Sequence, residues 1–299
     1  MKFLFFTLLF SVNVNCHNQN NYYIYNNKIN NAEILYFMEN KVDSSLAIYN
    51  EVFDTYEFIF LKDLLNAAQI AVFNNKDYEK YLFKSFEFGF RIDDLNKFPL
   101  FKDIHKKYQT DKRIMMIFKK ARIHYLKKID LKYLDYIYNI AIKDQIDKYK
   151  FDYDTRIYKS INNLMDTIKR KGFPGERLLG ITDTLIFKEN GLKKLDINER
   201  SRKQKITNHF IYRANRLHFG TSIPILLHHR CVSSAFKDVF LVEIKKGNMH
   251  PQDLAFINDF NSQFLSKLPA YCNGIKFEGL YSFSPSRGDL IDKKRNRSC

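Results

Sequence analysis

The chain has 299 residues, 49 Lys and Arg against 33 Asp and Glu, a formal net charge of +16, ten Gly, six Pro, four Cys and no Trp. That length is ample for a buried core. Four cysteines without CxxC spacing are too few for a disulfide scaffold, no stretch reaches the roughly 20 apolar residues of a membrane span, and the positive charge comes without a nucleic-acid recognition motif. No cofactor or metal signature is present, so neither is expected.

The distribution of charge says more than its total. Lys is inflated together with Asn, Ile, Tyr and Phe, as in AT-rich coding. Residues 31–101 carry 7 basic and 12 acidic groups, residues 102–150 carry 14 and 6, and residues 201–299 carry 16 and 7. An acidic module is followed by basic ones, a polarity able to dock the parts on each other or to attract an anionic partner.

The chain opens with Lys2 and a largely apolar run, Phe3–Phe10, too short to span a bilayer but of the length of a secretory leader. Export is therefore expected, to the periplasm or outside the cell. Cys16 stands where a lipid anchor would attach. The preceding Asn13, Val14 and Asn15 depart from the pattern of a lipid-modified cysteine, and simple cleavage near Cys16 is favoured. Residues 17–31, HNQNNYYIYNNKINN, are low in complexity and polar, and read as a flexible Asn-rich linker.

Helical periodicity is clear from Ala32. AEILYFMENK with SSLAIYNEVFDTY, and then FLKDLLNAAQIAVFNN with KDYEKYLFKSFEFGF, form two helix–turn–helix units. They overlay at an offset of 34, with Asn40 on Asn74 and Asp43 on Asp77. Ala67, Ala68 and Ala71 let paired helices approach, and Gly89 ends the second unit. The units, and the helical module they open at about 32–130, resemble degenerate tetratricopeptide hairpins. The resemblance implies a concave binding face for a protein or peptide.

Pro99 interrupts the pattern and KRIMMIFKKARIHYLKK follows, a basic helix whose charges suit a solvated face. A C-terminal domain is expected over 131–299. Helices resume from Leu131 to about Arg170 and stop at KGFPGERLLG, a Gly/Pro cluster that reads as a loop. This loop lacks the GxxxxGK[ST] spacing of a phosphate cradle. Ser222 and Pro224 start a helix at about 223–231, Ser233 or Ser234 caps another ending at Gly247, and His250-Pro251 opens PQDLAFINDFNSQFLSKL. GIKFEGLYSF alternates as one or two short strands. The expected fold is mainly α with a small C-terminal β element.

Asp144-Gln145, Gly172-Phe173-Pro174-Gly175 with Gly180, His229, Gly247, Pro251 and DLAFIND ending at Asp259, with Gly274 and Arg295, together resemble a bacterial family common among exported proteins of Bacteroidetes. Its C-terminal region is a domain of unknown function, and it carries no biochemical role over. The chain departs from that pattern at Phe173 (Trp in the family), His228 (Gln), Arg230-Cys231 (Ala-Asp) and Phe260 (Arg), and the stretch including ERSRKQKI is inserted.

Two histidines and a cysteine in ILLHHRC invite a metal site. Adjacent residues on a helix diverge by about 100°, so His228 and His229 are poor joint ligands. Ile225 and Leu226 place His229 on the apolar face, and Asp259 borders the apolar face of its own helix. A His229–Asp259 pair is expected, tying two helices together; the alternative is a hydrolase with His229 as general base oriented by Asp259. The resemblance adds Asp144, Gln145 and Arg295 as candidates for lining the same pocket. Cys231 and Cys272 either pair, which an oxidising compartment allows, or remain buried thiols. The favoured function is non-catalytic binding of a protein or peptide in the cell envelope, with an anionic envelope component as a further candidate partner.

Overall fold

The computed structural model describes residues 21–181, 184–191, 222–262 and 269–274. The leader, Cys16, the inserted ERSRKQKI, the alternating stretch 275–283 and Arg295 lie outside the described residues. Among the described residues every regular element is helical, so the mainly α expectation holds.

The first hairpin is α1 (Tyr22–Phe37) with α2 (Val42–Thr55), and the second is α3 (Leu61–Phe73) with α4 (Glu79–Glu87). Helix α1 corrects the linker reading, because it starts ten residues before the clear periodicity. Tyr22, Tyr25, Ile29 and Ala32 are all buried, and their spacing is one helical stripe. The asparagines between them mask that stripe. Asn21 caps the helix by accepting from the Tyr23 N–H.

The two hairpin turns place Asn40 and Asn75, the only non-glycine residues with positive φ among those described, in the left-handed region at φ 55° and 52°. The two left-handed residues are thus one further apart than the sequence overlay of 34, and the second turn, 74–78, is a residue longer than the first, 38–41. With no Trp, Tyr and Phe supply the largest fully buried side chains of the core. Tyr22, Tyr25, Tyr56, Phe58 and Phe60 meet in tilted and edge-on pairs, the arrangement that ring quadrupoles favour.

Two 3-10 turns at Ile92–Lys97 and Pro99–Phe101 lead into α5 (Lys102–Thr110) and α6 (Lys112–Lys128). Helix α6 packs on α4, with Phe118 edge-on to Phe86, and buries Ile114, Ala121 and Tyr125. Its N-cap Asp111 accepts from the N–H groups of Arg113 and Ile114. Opposite charge across the module boundary is used here: Glu79 of α4 meets Lys107 and Arg113 at 3.3 and 3.5 Å.

Helices α7 (Leu131–Asp147) and α8 (Tyr153–Lys171) form the next hairpin, and α8 stops at Gly172, whose φ is 100°. The GFPG loop that follows is a clamp. Glu243, buried, accepts from the Phe173 N–H at 2.7 Å and from the Asn248 amide at 2.8 Å. A Cβ on Gly175 would lie 2.4 Å from the Asn248 carbonyl oxygen, so that position tolerates only glycine without movement.

The remaining helices are α9 (Glu176–Leu179), α10 (Thr184–Glu189), α11 (Ser222–His228), α12 (Val232–Ala235), α13 (Lys237–Lys246) and α14 (Pro251–Ser262), with a 3-10 turn at Ala270–Cys272. Gly247 ends α13 in the left-handed conformation, as its place in the sequence predicts. No helix among the described residues is long and apolar enough to cross a membrane.

Candidate functional site

Helix α11 ends at His228, three residues earlier than the sequence pattern suggests, so His229 sits on the bend beyond it and helical spacing no longer sets its direction. His229 is 2 % exposed, packed by Tyr271 and Phe236 and stacked on Tyr158. Its Nδ1 lies 3.9 Å from Cys231 Sγ, and its Nε2 has no hydrogen-bond partner among the described residues. Burial pushes its pKa down to about 4, so the ring is neutral.

The expected His229–Asp259 bond is absent. Asp259 is half-buried on α14 and its backbone carbonyl accepts from Ser262. The tie between these helices is made by other groups. Asn261 accepts from the Ser233 N–H and hydroxyl at 3.3 and 3.1 Å and donates to the His229 carbonyl at 3.4 Å. Ser233 is fully buried in this contact instead of acting as an exposed cap. Amides fill the role foreseen for a charged pair, and avoid the cost of burying a carboxylate.

The carboxylate that meets a histidine is Asp144. Its Oδ2 lies 2.7 Å from His228 Nδ1 and 3.0 Å from the Gln145 amide, while its Oδ1 accepts from the Tyr153 hydroxyl at 2.7 Å. A carboxylate accepts, so Nδ1 of His228 carries the proton. Asp144 is buried, and the His228 side chain is 21 % exposed. Burial and the bond to Asp144 raise the Tyr153 pKa. Two predicted residues, Asp144 and Gln145, are thus brought together, but around His228.

Cys231 and Cys272 form a disulfide across 41 residues of sequence. The low cysteine count argued against a disulfide framework; this is a single bridge, joining the turn after α11 to the 3-10 turn at Ala270–Cys272.

A second constellation carries no motif. Lys62, 5 % exposed at the start of α3, pairs with Glu33 of α1 at 3.2 Å and lies 3.7 Å from Asp63. Asn66 also donates to Glu33, and Tyr25 donates to Asp63 at 2.7 Å. Burial raises the Asp63 carboxyl to about 6, with Lys62 opposing. The half-buried Glu176 of α9 accepts from the Leu61 N–H at 3.0 Å, capping α3 from 115 residues away where α3 has no side-chain cap of its own. Glu176 and Asp253 are each pushed up to about 7, chiefly by burial. His250, edge-on to Phe60, is held well below its ordinary value by burial and by the charge of Lys62.

Glu176 also lines a cleft of about 150 Å³ at the junction of the hairpins with the later helices. Phe58, Phe88, Tyr125 and Ile129 supply its apolar lining, and Glu57, Glu87, Glu176, Arg177 and Lys128 its charges. Arg177 is already engaged, donating to the Lys246 carbonyl at 2.6 Å and lying over the Tyr22 and Phe58 rings. No group of three or more potential metal ligands occurs among the described residues.

Fold and sites together define a mainly α-helical protein of paired helical hairpins. Comparison with protein families, with curated proteins and with solved structures finds no match.

Proposed function

We propose that the protein is an exported, non-catalytic binding module that takes a cationic side chain of a protein or peptide ligand in the cleft beside Glu176. The observation that carries this reading is the cleft itself: three glutamates border an aromatic lining against two cations, Lys128 and Arg177, and Arg177 is already held by the fold. Carboxylates beside aromatic faces suit a Lys or Arg side chain by charge and by cation–π attraction. The resemblance of the hairpins to tetratricopeptide units supports a protein or peptide ligand, and the Cys231–Cys272 bridge supports export, since such bonds persist in oxidising compartments.

The test is an amide-shift titration with three blocked tripeptides, Gly-Lys-Gly, Gly-Arg-Gly and Gly-Glu-Gly. The cationic peptides are expected to move Phe58, Phe88 and Gly180, with affinity rising between pH 6 and 8 as Glu176 ionises through about 7. Glu176→Gln should flatten that pH dependence. Equal shifts with all three peptides, or none, would end the proposal.

A second reading is favoured by the Asp144–His228 geometry: a hydrolase with His228 as general base oriented by Asp144, in place of His229 and Asp259. It predicts p-nitrophenyl acetate turnover that His228→Gln abolishes without changing the melting temperature. Turnover no faster than buffer removes it.

A further inference from the structure

Helix α6 has seven cations and no acidic residue in its 17 positions. Arg122 faces inward, where it is buried and pairs with Glu189. Lys112, Lys119, Lys120, Lys127 and Lys128 are all exposed, and among the described residues none of these five makes an ion pair; Arg113 has Glu79 at 3.5 Å. On the same outer face Met116 is 69 % and Ile123 59 % exposed.

Helix geometry orders this face. At about 100° per residue, Met116 and Ile123 fall within roughly 20° of one another and about 10 Å apart along the axis. Lys112 and Lys119 lie to one side of that line, and Lys127, Lys120 and Arg113 to the other. Ile114, Ala121 and Tyr125, which pack inward, are opposite. An apolar centre line flanked by long cationic side chains is the pattern of a helix lying on an anionic membrane surface. There apolar groups enter the headgroup boundary, while lysine stems extend along the apolar surface and their ammonium groups meet lipid phosphates.

We infer that the outer face of α6 is a docking surface for an anionic lipid bilayer. Charge complementarity commits the face to an anionic partner, and the two exposed apolar side chains at the centre of the lysine field favour a bilayer over a soluble polyanion, which offers them nothing to enter. The face from Lys112 to Lys127 is separate from Glu176 and does not rest on the ligand proposed for the cleft; of the α6 lysines only Lys128 lines that cleft.

The experiment is co-sedimentation of the full chain with vesicles of phosphatidylcholine alone and of phosphatidylcholine with 30 mol % phosphatidylglycerol, with soluble heparin as a second probe. Binding is expected only to the anionic vesicles, and it should weaken in high salt. Each cation near such a surface is worth about fivefold in affinity, so Lys119→Gln/Lys120→Gln/Lys127→Gln should lose on the order of 100-fold. Met116→Ser/Ile123→Ser should lose roughly tenfold for vesicles and nothing for heparin. These positions are exposed, and unchanged melting temperatures will show that the variants fold. The inference is overturned by failure to bind anionic vesicles, by α6 variants that bind them like wild type, or by heparin binding with Met116 and Ile123 irrelevant to both probes, which would assign the face to a soluble polyanion.

Discussion

The α1–α3 interface and the outer face of α6 hold charge in opposite ways. Between α1 and α3, Glu33, Lys62 and Asp63 are withdrawn from water, and their hydrogen-bond partners include Asn66, Tyr25 and each other. On α6, five lysines stay in water and no carboxylate on that helix answers them. Buried charge must be matched within the fold, because desolvation costs several kcal/mol per ion. Exposed charge is solvated at little cost to folding, so its one-sided accumulation bears on partners instead.

The largest effect is expected where the buried network is broken. Lys62→Met leaves Glu33 and Asp63 buried without their cation and should cost about 3–5 kcal/mol in urea unfolding; a loss under 1 kcal/mol would mean that water reaches this interface. Next is the Cys231–Cys272 bridge, whose removal by Cys231→Ser/Cys272→Ser should cost about 2–4 kcal/mol. The check is whether dithiothreitol lowers the melting temperature of the wild type and leaves that of the variant unchanged.

The two histidines sharpen the contrast on a smaller scale. Asp144→Ala strips His228 and Tyr153 of their acceptor and should cost about 1–3 kcal/mol. His229→Phe keeps the ring and deletes a buried nitrogen with no partner among the described residues, so it should stay within about 1 kcal/mol of wild type. If the thermal melts reverse that order, His229 has a partner beyond the described residues.

Glu176 and Asp253 set a pH dependence. Their folded pKa values, about 7, lie above those of unfolded carboxyls near 4. Their favourable contribution is therefore complete below about pH 4 and fades as pH rises through 7. His229 acts in the opposite sense, since its folded value of about 4 is below the unfolded one, near 6.5, and its contribution is lost as pH falls toward 4. Glu176→Gln with Asp253→Asn should raise the melting temperature at pH 8 relative to wild type by more than at pH 5. Equal shifts at both pH values would show that the carboxyls titrate normally. Smallest of all, Lys119→Ala and Lys120→Ala on α6 should leave stability within about 0.5 kcal/mol, measured by the same urea titration.

Legibility in sequence tracked the range of the interaction. Gly247 could be placed at a helix end because a left-handed terminus is a local demand. The two hairpins showed through their period, although the same stripe in Tyr22, Tyr25 and Ile29 was hidden among asparagines. Helical-wheel reasoning turns His229 inward, and it is buried, but it does not give the partner, because α11 stops one residue before His229 and helical spacing ends there. Glu176 had no signal at all: nothing in ERLL announces a cap for a helix 115 residues earlier.

The sequence by itself determined the helical class, the hairpin pair, the loop at Gly172–Gly175 and the one-sided charge of α6, all properties of spacing within one element. Only the tertiary structure decided that His228 meets Asp144 across 84 residues, that Asn261 does the work foreseen for Asp259, and that Cys231 finds Cys272. An apolar period specifies which face of a helix turns inward. Which side chain it meets there depends on docking angle and register, set by the packing of the whole core.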